Sequence, residues 1–334
     1  MKKKVNSILL SVGPNDIGRR LDKILRKVLP GLHLSTIYGD LRKGRIRVNG
    51  KKRKGAYRVK EGDNLFIPEE YKLRTSPTNY AQEEFTRENH AAKDLSFIIL
   101  HEDSNFLVCN KEAGSLTHGG NDLTKAVIAY LSKTQTNESS LAFTPGPLHR
   151  LDRNTSGILY FSKSIYGARI FTSLQKSHCL KKKYLAVIEG ILSKPGVWEN
   201  VLVRDKKAKV TRVRPWAEGR PSRCSFRPIA YSKDKTLVSL ELRSGFTHQI
   251  RVQSGYNGHP LYGDRKYGGT KRQHSSYLLH ALTLSDDCTT LGEESIPQVI
   301  APLPVSFSSF ILKEFSLSPE KAIDTSATFK INKF

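Results

Sequence analysis

The stretch HRLDRNTSGILYFSKS, residues 149–164, sets a polar loop flanked by arginines directly against a run of apolar and aromatic residues. The second half, GILYFSKS, is rich in β-formers and too short for a packed helix, so it reads as a buried strand. Runs of the same kind recur on both sides: NFLVCNK (105–111), KKYLAVIEG (182–190), RCSFRPIAY (223–231) and TLVSLELR (236–243), each bounded by turn-forming residues. One helix is predicted among them, from Tyr166 to His178. Strands separated by loops, with few helices, indicate an α+β domain over about residues 94–315. Its expected architecture is a largely antiparallel mixed sheet with flanking helices and a central cleft.

The chain has 334 residues, of which 38% are hydrophobic and 9% aromatic, enough for two domains with a sizeable core. Its 55 lysines and arginines against 31 acids leave a formal charge of +24, a field that gathers polyanions before any specific contact forms. Nucleic acid is the leading partner and an anionic membrane surface the rival. No apolar run approaches the length of a membrane span, and the opening MKKKVNSILLSV has too short an apolar core for a secretory signal, so a soluble cytoplasmic protein is expected. Cys109, Cys179, Cys224 and Cys288 lie far apart without a C-x-x-C pair, and read as buried thiols rather than zinc ligands or a disulfide framework.

Much of the basic charge is local. Residues 1–68 hold 18 lysines and arginines and 5 acids. Within them Leu21, Ile24, Leu25, Val28 and Leu29 form an amphipathic stripe, with Arg19, Arg20, Lys23, Arg26 and Lys27 on the other faces. A second short helix is expected after a Ser35 or Thr36 cap, with Leu34, Ile37 and Leu41 inward and a stop near Gly44. RIRVNGKK then alternates into an Asn49-Gly50 turn. The result is a compact α/β module over residues 15–68, whose candidate RNA contacts are Arg19, Arg20, Lys23, Arg42, Lys43, Arg45, Arg47, Lys51 and Lys52. Residues 69–93 are polar and read as a linker, and 316–334 as a mostly unpacked tail. A second basic segment, RDKKAKVTRVRPWAEGR, is expected as a long loop that offers cations to a backbone and Trp216 for stacking.

Common catalytic templates are absent: there is no G-x-x-x-x-G-K-[ST] and no H-E-x-x-H. The sequence shows no metal or nucleotide site. What stands out is one carboxylate, Asp152, between Arg150 and Arg153 in a chain suited to phosphates. A capping or salt-bridging acid, a metal ligand, and a catalytic carboxylate kept ionised by nearby guanidinium groups are all consistent with the residue alone.

The ordered set HRLDRNTSG, GILYFSKS, KKKYLAVIEG and SGFTHQIRVQSGYNGHPLYGDRKYG resembles the RluA-type family of RNA pseudouridine synthases. The segment GRRLDKILRKVLPGLHLSTIYGDLRKGRIRVNGKK resembles the S4-like RNA-binding module that some members carry. The resemblance is strongest to members that modify large-subunit ribosomal RNA. It implies an isomerase that flips a uridine out of structured RNA and needs neither cofactor nor metal. By the same resemblance Asp152 is the essential acid, Arg251 its salt-bridge partner, Tyr184 the ring that stacks on the flipped uracil, and Arg150 the residue that helps displace the nucleotide. His149, Thr155, Ser156 and Gly157 are expected to shape the loop, and His248 and Gln249 to fix Arg251. Departures from the family pattern are Glu112 in NKEAG, where proline is usual, Phe246 in GFTHQIR, where a cation is usual, and Gln253, where histidine is frequent. The expected protein is a monomer. Alternatives are an inactive RNA-binding ribosome-assembly factor and a synthase acting on transfer RNA.

Overall fold

The computed structural model describes residues 7–71, 97–119, 122–134, 140–214, 218–243, 245–270, 276–287 and 295–328. The chain divides into two compact units, one of Met1–Leu95, Thr124–Gly146 and Ser162–Gly167, the other of Ser96–Leu123, Pro147–Phe161 and Ala168–Phe334.

The first unit begins with β1 (Ser7–Ser11), α1 (Leu21–Val28), α2 (Leu34–Lys43), β2 (Arg47–Val48) and β3 (Asn64–Pro68). The strands form an antiparallel sheet in the order β1-β3-β2. The predicted stripe is the core: Leu21, Ile24 and Leu25 are completely buried, with Val28 and Leu29 nearly so. On α2, Ile37 and Leu41 face inward, but Leu34, on the same face by spacing, is exposed as the first residue of the helix after His33. Ser35 and Thr36 therefore sit inside the first turn rather than capping it. Gly44 ends the helix in a left-handed conformation, as a C-terminal glycine does. Asn49 and Gly50 both have positive φ, and Val48 and Lys51 exchange backbone hydrogen bonds across them, closing a tight hairpin.

This unit is larger than residues 15–68. Asp16, fully buried, accepts from Ser140 Oγ at 2.9 Å and from the backbone N–H groups of Leu141 and Ala142 at 2.5 and 3.0 Å, and Ala142 joins the hydrophobic core. A buried carboxylate without such donors would be costly, so segment 140–142 is held to the module. The expected assignment of that segment to the catalytic domain is corrected accordingly. Most of the expected linker, residues 72–93, lies outside the described residues.

The second unit contains β4 (Ile98–Glu102), β5 (Phe106–Lys111), β7 (Ser156–Ser162), β8 (Leu180–Glu189), β9 (Gly196–Asp205), β10 (Val210–Val213), β11 (Arg220–Tyr231), β12 (Lys235–Leu242) and β13 (Leu279–Asp286), with the two-residue strand β6 (Gly146–Pro147) paired to β7. The sheet runs β10-β9-β11-β12-β8-β13-β7-β5-β4. Neighbours from β10 to β13 are antiparallel, as are β4 and β5, while β13 and β7 are parallel. Helix α3 (Leu123–Thr134) lies, but for Leu123, in the first unit; the helices here are α4 (Ile165–Lys176, from Ala168 on), α5 (Gln249–Tyr256), α6 (Val305–Phe315) and α7 (Pro319–Ala327). The expected α+β architecture is present.

Alternation along β8 decides where the site lies. Leu185 and Val187 pack with Leu237, Phe307, Ile311 and Ala322 beneath α6 and α7. Lys182 and Tyr184 point to the opposite face. Three expectations fail here. The tail from residue 316 is not unpacked through Ala327: Ser318 caps α7, whose Ala322 and Ser326 are fully buried, and Ser326 bonds Ser239 at 2.7 Å. The segment after Arg204 is not one long loop, because Val210–Val213 pairs with β9 as an edge strand. Trp216 lies outside the described residues. Cys109 and Cys224 are buried free thiols, whereas Cys179 is disulfide-bonded, contrary to the expectation. Among the described residues no helix is long and apolar enough to cross a membrane.

Candidate active site

The loop of Asp152 is fastened before any ligand enters. Thr155 N–H closes a turn on Asp152 O at 3.1 Å, and Gly114 N–H and Arg153 O are bonded at 2.9 Å. Lys111, 1% exposed, donates Nζ to Glu112 O, Arg153 O and Thr155 O at 2.9, 3.0 and 2.8 Å. Burial pulls that ammonium down to about 8, against the attraction of Asp152. At the loop's end Gly157 has φ of 113°, and a Cβ there would stand 2.1 Å from Ala281 O. Glycine is thus required where β7 meets β13. Ser156 Oγ bonds His280 Nδ1, while His280 Nε2 faces Ala301 O. The carbonyl can only accept, so Nε2 carries the proton and Nδ1 accepts from the serine. His149 Nε2 accepts from Tyr160 N–H at 3.2 Å and its ring stacks on Phe171, which pins the loop's start to β7. Burial holds His149 down to about 3 and His280 to about 4, so both are neutral.

Asp152 lies in a cavity of about 680 Å³ with Arg150, Tyr184, Arg204, His248 and Arg251 among its lining residues. Arg251 projects from α5 and donates Nη1 to Asp152 Oδ2 at 3.0 Å, joining positions 99 residues apart. Its other edge is forked onto Asp264, Nε to Oδ2 at 2.7 Å and Nη2 to Oδ1 at 2.9 Å. The guanidinium sits 4.4 Å from the ring centre of Tyr277 and 5.1 Å from that of Tyr267. Burial disfavours its charge, but the Asp264 hydrogen bonds, with Tyr277 and Asp152, more than compensate and raise its pKa. Arg251 is therefore a fixed cation shared between two carboxylates.

The flanking arginines do not do this work. Arg153 donates Nε to Gly114 O, and Arg150 is exposed at the cavity rim. His248, at φ 61°, places Nδ1 at 2.7 Å from Tyr267 OH, whose oxygen also accepts from Thr211 N–H. The other ring nitrogen, Nε2, lies 3.7 Å from Asp152 Oδ2. Burial keeps this imidazole down to about 4 against the pull of Asp152. Gln249 accepts from Phe246 N–H and donates to Arg223 O, so it orders the approach to α5, and Asp264 holds the guanidinium itself. Tyr184 is 9% exposed, and burial raises its phenol pKa, with Asp152 acting in the same sense. Gln253 is fully buried and presents its amide nitrogen to Trp198 O, Asn200 Oδ1 and Ser222 O, each at 3.0 Å, which ties α5 to β9 and β11. Glu112 offers its carbonyl to Lys111 and Ser115.

Asp152, Tyr184, Arg251 and Arg150 are thus brought to one cavity. Tyr277 also lines it, and Asp264, Lys111 and Tyr267 hold lining residues from behind; none of the four is singled out by the sequence, where the acid in LYGDRKYG is the available signal. In the first unit Arg20 pairs with Asp22, at 3.1 and 2.6 Å, and that arginine's bonds hold the Asp22 carboxyl down to about 2. Arg45 bonds Glu70 and approaches Asp40 at 3.4 Å, Arg47 donates to Gly44 O at 2.7 Å, and Arg19 lies 3.9 Å from Asp16. Lys23, Arg42, Lys43, Lys51 and Lys52 are exposed. Among the described residues no three His, Cys, Asp or Glu side chains gather as metal ligands.

Comparison with known proteins gives the same picture. The RNA pseudouridylate synthase family model matches residues 105–255 and the S4 domain model residues 19–65. The chain is 32% identical over 325 residues to the ribosomal large subunit pseudouridine synthase C of Buchnera aphidicola subsp. Schizaphis graminum, covering 93% of this chain and 99% of that one. Against the protein of the same name from Escherichia coli K12 it is 34% identical over 322 residues, covering 91% and 95%. Among solved structures, human RNA pseudouridylate synthase domain containing 1 matches with a TM-score of 0.56 and 20% identity, over 72% of this chain and 98% of that one, a likeness of fold.

Proposed function

This chain belongs to the RNA pseudouridylate synthase family, and from that premise we propose that it isomerises uridine to pseudouridine in large-subunit ribosomal RNA, with Asp152 as the reacting group. The observation that carries the reading is the salt bridge of Asp152 and Arg251 in a cavity, 3.0 Å apart and far apart in sequence. The substrate RNA follows from the names of relatives matched over nearly their full length. Action in the cytoplasm, as a monomer and without cofactor or metal, belongs to the same proposal.

The chemistry asks for a uridine taken out of its stack, since neither C1′ nor C5 can be reached within a helix, and extrusion costs a few kcal/mol. Arg150, exposed at the rim, is placed to occupy the space the nucleotide leaves. Tyr184 offers the everted uracil a face on the cavity floor. Asp152, its Oδ2 held by Arg251 and faced by His248 Nε2, then acts on the sugar, attacking C1′ or taking the C2′ proton, while the bond from C1′ to N1 breaks. The freed uracil turns and rejoins through C5. Phosphate contacts to the exposed cations of the S4 domain supply affinity without a base code.

The test is chemical mapping of pseudouridine in large-subunit ribosomal RNA from cells lacking the gene, after incubation with wild-type protein or D152A. Conversion by the wild type alone, with equal RNA affinity for both proteins, is expected. Equal conversion by D152A rejects the role of Asp152, and binding without conversion by the wild type makes the protein an RNA-binding assembly factor.

A further inference from the structure

Among the described residues four lysines are buried, Lys111, Lys182, Lys183 and Lys235, and three of them are paired. Lys111 faces three carbonyls within 3.0 Å, Lys183 donates to Ala327 O at 2.6 Å, and Lys235 reaches Asp234 and Glu314 at 2.5 Å. Lys182 is 8% exposed, and among the described residues nothing accepts from its ammonium. Its charged neighbour is Arg220, which repels it, and burial together with that arginine lowers its pKa. Its side chain lines the cavity and no described group shares its charge, so an anion entering the cavity meets an uncommitted cation.

Its position selects the anion. Lys182 and Tyr184 are two residues apart on β8 and share the face that lines the cavity. With Leu242, Tyr277 and Leu279, all under a tenth exposed, they make the floor, whereas Arg150 and Arg153 are exposed at the rim. An everted nucleotide stays tethered by its two phosphates, which remain at the rim, and its base is the free end that reaches the floor. Uracil is neutral in the intact nucleoside. When the bond from C1′ to N1 breaks, the electron pair goes to N1 and the base becomes an anion delocalised over N1, O2 and O4. C5 then forms the new bond to C1′, the proton on C5 is lost, and N1 takes one up, so atoms and electrons balance without a further reagent.

We propose that Lys182 is a catalytic residue whose ammonium stabilises the detached uracil anion while the base turns on the floor of the cavity. The inference rests on the isomerase reading and assigns a residue to its central step. The ammonium keeps its protons throughout; its charge acts in an apolar floor where it is poorly screened. Because the charge it meets exists only after bond cleavage, it contributes to the rate and little to binding.

Single-turnover conversion and RNA affinity of K182M and K182R on a large-subunit ribosomal RNA transcript test it, in parallel with the transcript carrying 5-fluorouridine. Fluorine makes the departing base a weaker base, so its cleavage depends less on a cation; the readout is loss of 5-fluorouridine from nuclease digests. Expected is a fall of about 10²- to 10³-fold in the K182M rate on uridine, with affinity and melting temperature unchanged, partial recovery in K182R, and a smaller defect on 5-fluorouridine. K182Q replaces K182M if that variant does not fold. An unchanged rate, equal defects on both transcripts, or weakened affinity with a normal rate at saturation overturns the proposal, the last in favour of a phosphate contact. A wild-type protein that converts no uridine refutes the isomerase reading itself, and this inference with it.

Discussion

Replacing Asp264 by Asn separates the fork that holds Arg251 from the carboxylate that Arg251 serves. Asp264 is 2% exposed and bonds Nε and Nη2 of Arg251 at 2.7 and 2.9 Å. Asparagine keeps the volume and one oxygen, but its NH₂ meets a guanidinium N–H, so one of two bonds becomes a donor-to-donor contact. The buried cation also loses one of its two counter-charges. Removing one partner of a buried pair costs about 3–5 kcal/mol, and the retained bond places D264N near the low end, about 3 kcal/mol. For a unit of this size that lowers the melting temperature by roughly 6–12 °C. The functional effect is larger than folding alone gives. With the fork open the guanidinium can swing away from Asp152, and a misplacement of about 1 Å at a reacting centre costs roughly a hundredfold in rate. Single-turnover pseudouridine formation by saturating D264N, measured well below its melting temperature, should fall by about that factor, while RNA affinity, which rests on distributed phosphate contacts, should hold. A D264N protein that melts and converts RNA like the wild type refutes the reasoning that Asp264 positions Arg251.

Two further outcomes follow from groups away from the reacting atoms. His280 is fully buried and held down to about 4 from an ordinary 6.5, so between those values the unfolded chain takes up a proton that the folded chain refuses. Stability should therefore fall as pH drops through that window, by about 1.4 kcal/mol per pH unit for this residue; urea unfolding from pH 7 to 5 measures it, and an H280N variant with an unaltered slope would contradict the assignment. Replacing exposed Arg42, Lys43, Lys51 and Lys52 by alanine should reduce the slope of log affinity against log salt by roughly 3, at 0.7–0.9 per lost phosphate contact, and an unchanged slope removes these side chains from the RNA interface. Substitution is the cleaner test than deleting residues 1–68, because Asp16 binds Ser140, Leu141 and Ala142 and a deletion would open that core.

The strands of the second unit were legible because each is a short apolar run between turn-formers, and the stripe of α1 because its period is helical. Local signals could not show β10, whose Val210–Val213 is ordinary sequence made a strand by β9, nor α7, whose polar face hides that Ala322 and Ser326 are covered. The site divides in the same way. Asp152 drew attention because its neighbours in sequence are arginines, yet those neighbours look elsewhere, and its partner comes from α5, 99 residues on. Family resemblance supplied Arg251, since spacing alone carries no trace of a contact closed by the fold. Asp264 was passed over because an acid beside glycine in LYGDRKYG reads as a turn residue. It is one, accepting from Lys266 N–H, and it holds the guanidinium as well.

That second carboxylate explains how an acid can work inside a basic cavity. Were Arg251 paired with Asp152 alone, the two charges would cancel, and the oxygen proposed to act at the sugar would be bound up by its own counter-ion. Asp264 takes two of the guanidinium's five N–H groups and Asp152 one, so the carboxylate proposed to react is oriented by a single bond to Oδ2 at 3.0 Å. The three groups together carry one net negative charge, which neutral His248 does not quench. Orientation and reactivity are thereby supplied by different atoms of one buried network. The same division predicts that R251K, which offers a point charge in place of a fork, cannot satisfy both carboxylates at once. It should keep the local charge and lose the geometry, and a wild-type conversion rate in R251K would show that charge alone suffices.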